Sequence, residues 1–193
     1  MPYGGTLTLS HETFRRLLRD LIASLTRHGF RHVLISNSHG SNIIAIQQVA
    51  DELAGELDAI IVATTYVAEA AEAIGPLLED QPGIQHACEG ETAMMMACEP
   101  ELVDGSDLAA LGTERGAGFL KAGNASYRWR PFAHMTGNGV SGYPAKATAE
   151  KGEKILEVAS DAIAALITDP ETLAPARDLR GEGTQGVPFR PGS

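Results

Sequence analysis

Between Ser10 and Gly29 the apolar positions Phe14, Leu17, Leu18, Leu21, Ile22 and Leu25 recur at steps of three and four residues. That spacing places them on one face of an α-helix and predicts that the face turns toward a core. Ser10 has the side-chain acceptor of an N-cap, and Gly29 has the freedom to end the helix in a left-handed turn. Val33, Leu34 and Ile35 then form a short β-branched, apolar run, the pattern of a strand buried in a parallel sheet. The polar stretch Asn37, Ser38, His39, Gly40, Ser41, Asn42 ends it. Helical period returns with Ile43, Ile44, Ile46, Val49, Ala50, Leu53 and Leu57, and Ala59 to Ala63 reads as a second strand.

Strand, helix and strand in this order make a βαβ unit, so the sheet is at least partly parallel and the class is α/β. Ligands of such sheets collect at the carboxyl ends of the strands, where loops and helix N-termini converge. His39 stands in a turn at one of those ends.

Beyond the second strand the pattern weakens. Residues 66–85 are Ala-rich and helical in character, interrupted by Gly75-Pro76 and Pro82-Gly83. A helix is predicted from Glu89 to Cys98, stopping before Pro100. From Gly105 to Pro144 the chain turns to Gly, Asn, Ser and Thr with Tyr127, Trp129 and Phe132, which predicts long loops over a site. A last amphipathic helix runs from Thr148 to about Ile167, with Ile155, Leu156, Ala159, Ile163 and Leu166 on one side. From Leu179 on, Gly and Pro dominate and a mobile tail is expected. The organisation predicted is one domain over 1–178 and a tail over 179–193.

Composition narrows the function classes. A chain of 193 residues is long enough for one buried core. The formal charge of -10 argues against nucleic acid or an anionic membrane surface as a partner. Neither a signal peptide nor a membrane-spanning run is visible, and the two cysteines, Cys88 and Cys98, read as packing residues flanking a helix. A reducing, cytoplasmic setting fits this usage.

Three constellations carry candidate chemistry. His39, fixed at a strand-to-helix turn, suits a metal ligand, and equally an ordinary polar loop in which it bonds its own backbone. His86, Glu89 and Glu91 bring an imidazole and two carboxylates within six residues, enough for metal binding or proton transfer. Glu89 and Glu91 also fit the first turn of a helix, whose dipole favours negative charge. Trp129, with Tyr127 and His134, is either an aromatic cover for a small polar substrate or a loop anchor.

Taken in order, these stretches resemble the creatininase family. Asn37-Ser38-His39-Gly40-Ser41-Asn42 stands where the family has Asn-Gly-His-Gly-Gly-Asn. His86-Ala87-Cys88-Glu89-Gly90-Glu91-Thr92-Ala93 stands where it has His-Ala-Gly-Glu-x-Glu-Thr-Ser. Gly5 to Leu9, His28 to Phe30, Pro100 to Asp104, Gly139 to Gly142 and Ala147 to Gly152 extend the likeness over nearly the whole chain.

The resemblance implies a three-layer α/β/α fold with a mostly parallel sheet and a metal-dependent amidohydrolase. There, two divalent ions, zinc or manganese, activate a water that attacks a small amide, lactam or formamide carbonyl. It implies His39 and Glu91 as metal ligands, His86 as the proton shuttle and Glu89 as a further acidic catalytic position. Ser41 stands where creatininase itself has a glutamate ligand, which points away from creatinine as substrate; Ser41 and, from the aromatic loop, Trp129 are the candidate substrate contacts. A homo-oligomer, commonly a hexamer in the family, is implied as well.

The family's Glu-x-His-Gly-x-His-Leu-Pro motif and bridging aspartate have no counterpart here. Two readings follow from that departure. One is an amidohydrolase completed by a longer gene product or a partner chain. The other is a catalytically incomplete member serving as a structural or interaction subunit.

Overall fold

The computed structural model describes residues 3–112, 127–181 and 186. They fold as two compact units, one of residues 8–65 with the chain from Ala164 on, the other of residues up to Leu7 with Tyr66–Ile163.

The first unit is the predicted βαβ. Helix α1 covers His11–Arg27, strand β1 His32–Asn37, helix α2 Ile43–Glu56 and strand β2 Ile60–Thr65. Ser10 caps α1 as expected, its Oγ accepting from the Thr13 N–H at 3.1 Å. At the other end Gly29 takes φ +95, and the Phe30 and Gly29 N–H groups return to the Leu25 and Thr26 carbonyls. This left-handed exit is open to glycine because it has no Cβ. The strands pair in parallel with Val33 beside Ile61 and Asn37 beside Thr65. Ile22, Val33, Val49 and Leu53 form the buried core, with Leu18, Ile35, Leu57 and Ile61 packed around them. The class is α/β.

The apolar face predicted for α1 is divided. Ile22 is buried, whereas Leu17, Leu21 and Leu25 remain 48%, 55% and 40% exposed. The helix lies against α2 through its adjoining side, where Arg15 and Arg19 pair with Glu52 and Arg19 with Glu56.

The second unit is helical. Short turns α3 (Tyr66–Glu69) and α4 (Ala71–Ile74) occupy the Ala-rich stretch, followed by α5 (Glu89–Cys98), α6 (Leu108–Leu111) and α7 (Ala149–Thr168), of which the part up to Ile163 belongs to this unit. Ala70, Ile74, Leu78, Met94, Ile155 and Ala159 make its core. Gly152 of α7 meets the α5 backbone so closely that a Cβ built there would lie 2.0 Å from the Ala93 carbonyl oxygen. Such an approach of two helices requires glycine.

Most of the predicted loop region is irregular, with α6 inside it and an isolated antiparallel bridge between His86 and Ser141. Residues 113–126 of that region, and the expected mobile tail beyond Gly181 apart from Gly186, lie outside the described residues. Cys88 and Cys98 are both free. No described helix is long and apolar enough to cross a membrane.

Candidate functional site

Asn37, only 6% exposed, builds the turn at the end of β1. Its Oδ1 accepts from the His39 N–H at 3.1 Å and from Asn42 Nδ2 at 3.3 Å. Its Nδ2 donates to the His39 carbonyl at 2.9 Å and to Thr65 Oγ1 at 3.0 Å, tying the turn to β2. An asparagine at a strand end thus replaces the backbone partners that the chain loses on leaving the sheet. His39 caps the 3-10 turn Gly40–Asn42, and both His39 and Ser41 are exposed.

The second motif is a bend leading into α5. Ala87 takes φ +49, a left-handed conformation that a residue with a Cβ adopts only when its surroundings impose it. Two sets of bonds do so. The Ala87 N–H donates to Glu91 Oε2 at 2.6 Å, so the acidic residue at the third helical position reaches back to the residue before the N-cap Cys88. On the other side the His86 N–H donates to the Ser141 carbonyl at 3.2 Å and the Ser141 N–H to the His86 carbonyl at 2.8 Å.

Glu89 is wholly buried, at 0% exposure. Its carboxylate accepts from the Glu79 N–H at 3.0 Å and the Asp80 N–H at 3.4 Å, and is ion-paired with Lys151 in the first turn of α7. Lys151 also reaches Glu79 Oε1 and the Lys146 carbonyl, each at 2.9 Å. A buried carboxylate is tolerable only with such a set of donors. Burial pulls the Lys151 ammonium down, and its hydrogen bonds to Glu89 and Glu79 outweigh that, leaving it above the ordinary lysine value. The Lys151 hydrogen bond holds the Glu79 carboxyl below its ordinary value.

A cavity of about 400 Å³ opens beside the motif, walled by His86, Ala87, Glu91, Thr92 and Asp104 on its polar side. Met95, Leu102, Val103, Leu108, Leu111, Val140 and Pro144 complete it. The Ser106 hydroxyl and N–H hold the Asp104 carboxyl below the usual range, so this wall is anionic. A larger hollow, about 570 Å³, lies at Glu171, Ala174, Pro175, Ala176 and Arg177, and none of the candidate residues lines it.

The structure therefore brings His86 and Glu91 to one cavity and turns Glu89 into the fold. His39 and Ser41 belong to the sheet-bearing unit. Trp129 stands 70% exposed and is not among the cavity residues. His134 lies 3.0 Å from the Arg130 guanidinium. Asn37, Ser141 and Lys151 lie in the matched stretches, but the sequence assigned them no role at the site. Lys151 had a signal: a lysine in the first helical turn opposes the helix dipole, which points to an acidic partner.

Among the described residues no group of three or more His, Cys, Asp or Glu comes together to hold a metal ion. The donors are otherwise engaged, Glu89 with Lys151 and one Glu91 oxygen with the Ala87 N–H. The described residues do not fit a two-metal centre on their own, since such a centre needs several free oxygen or nitrogen donors around each ion.

Comparison with known proteins defines the relationship. Three of the similar solved structures illustrate it. A Bacteroides fragilis NCTC 9343 protein assigned as a creatinine amidohydrolase is 28% identical with TM-score 0.71, over 93% of this chain and 68% of that one. A point mutant of creatininase complexed with creatine is 27% identical with TM-score 0.67, over 90% and 69%. A creatininase described with Mn is 26% identical with TM-score 0.66, again over 90% and 69%. The likeness carries the three-layer α/β/α class. Curated proteins offer no sequence match. The family model for creatininase, creatinine amidohydrolase, matches residues 1–167, so the chain belongs to the creatininase family.

Proposed function

We propose that this chain is a catalytically incomplete member of the creatininase family that serves as a structural or interaction subunit, in a homo-oligomer of the kind the resemblance implies. One observation carries this reading. Glu89, an acidic residue of the second motif, is enclosed at 0% exposure and joined to Lys151, so it is withdrawn from solvent, substrate and metal alike. What remains at the cavity is His86 with Glu91, an imidazole and a partly engaged carboxylate, short of the donor set that a metal-activated water needs.

A second reading has its own support. A cavity of about 400 Å³ bearing His86 and Glu91 is large enough for a small amide, and a related creatininase is complexed with creatine. On that reading the protein is an amidohydrolase acting on a small-molecule C–N bond with zinc or manganese. His86 moves a proton to the leaving nitrogen, and Ser41 and Trp129 touch substrate. His39 and Glu91 are the metal ligands on this reading, and the metal requires further donors besides them.

The two readings separate in one assay. The 193-residue chain, incubated with small lactams, amides and formamides in the presence of manganese or zinc, is expected to release no amine or acid above the background. Turnover that disappears in His86→Ala establishes the second reading.

A further inference from the structure

A histidine side chain has two rotatable bonds, so a fixed backbone alone does not fix its imidazole. At His86 three sets of contacts converge from one stretch of chain. The paired hydrogen bonds with Ser141 hold the His86 backbone on both sides. Ser141 is fully buried, and its hydroxyl lies 3.1 Å from Gln85 Oε1, which ties the preceding residue to the same point. The His86 imidazole meets the Phe132 ring edge-to-face, with centroids 4.6 Å apart and planes at 76°. That arrangement matches the quadrupoles of the two rings and is the preferred one for an aromatic pair.

Phe132 is itself anchored. It opens the 3-10 turn Phe132–His134, its ring meets Tyr3 at 6.2 Å and 83°, and the Tyr3 hydroxyl donates to the Thr136 carbonyl. Asn138 Oδ1 accepts from the Val140 N–H at 3.0 Å, which fixes the link between Phe132 and Ser141.

We propose that Phe132 and Ser141 are positioning residues for His86: Ser141 fixes its backbone, and Phe132 selects the rotamer that presents the imidazole at the cavity wall. Neither residue lines the cavity, so both act through His86. The assignment is independent of whether the chain hydrolyses anything.

The test uses the full chain, metal-free, with its histidine rings isotopically labelled and observed by NMR at one fixed pH. His86→Gln identifies the His86 signal. The ring current of Phe132 is expected to displace that signal from those of the exposed His11 and His28, and cross-relaxation is expected between the two rings. In Phe132→Leu the three-bond couplings that report the His86 χ1 angle are expected to move toward rotameric averaging while the α5 amide signals stay in place, and Phe132→Tyr restores them. Unchanged His86 χ1 couplings in a folded Phe132→Leu protein overturn the proposal. Should that variant fail to fold, absence of cross-relaxation between the rings in the unaltered protein overturns it instead.

Discussion

Lys151, in the first turn of α7, closes over the buried carboxylate of Glu89 at the start of α5 and binds the two helices to the turn at Glu79 and Asp80. The pair is a cross-link of the fold, with side-chain exposures of 13% and 0%. Removing one partner leaves an uncompensated charge in the interior. Lys151→Met and Glu89→Leu are each expected to lower stability by roughly 3–5 kcal/mol. The double variant should lose less than the sum of the two, read as denaturant midpoints. Additive losses would mean that the two groups do not interact.

The same pair sets a pH dependence. The raised Lys151 value means that its contribution is fully present below the unfolded lysine value, about 10.4, and is lost as pH rises through the folded value. Thermal midpoints should therefore fall on the alkaline side of that point in the unaltered protein, and fall less in Lys151→Met. Glu79, lowered by its hydrogen bond to Lys151, acts at the other end: its contribution is present above the unfolded glutamate value and is lost as pH drops through the folded one.

Gly152→Ala places a methyl group 2.0 Å from the Ala93 carbonyl oxygen, which is backbone and has nowhere to yield. Helix propensity alone favours alanine over glycine by roughly 1 kcal/mol. Overpacking is expected to reverse that sign, with a net loss of about 1–3 kcal/mol. Calorimetry of the single variant decides between the two effects.

On α1 the division between core and surface is testable residue by residue. Ile22→Ala should cost about 2–4 kcal/mol, since Ile22 is 3% exposed. Leu21→Gln, one position earlier and 55% exposed, should change stability by about 0.5 kcal/mol or less. Equal losses at both positions would place the leucine row in a core.

Much of this architecture was legible in the residues. Ser10, Gly29, the Val33 to Ile35 run and the polar turn at Asn37 each carry a local rule, and each element stands within a few residues of its expected limits. The orientation of α1 was not legible, because its apolar positions span a face wider than the core it meets. At the site, the motif singled out His86, Glu89 and Glu91 together, and two of the three line the cavity. It did not reveal that Glu89 is enclosed, since its partner Lys151 lies 62 residues away and spacing carries no information about such a contact. Ser141 was invisible for the same reason: it meets His86 through backbone atoms that every residue possesses.

Metal binding by the purified 193-residue chain tests the central claim most directly. Elemental analysis after removal of loosely held ions, followed by calorimetric titration with manganese and zinc, should find essentially no tightly held ion and no saturable high-affinity binding. About two tightly held ions per chain, the number of a two-metal hydrolase centre, would contradict the account.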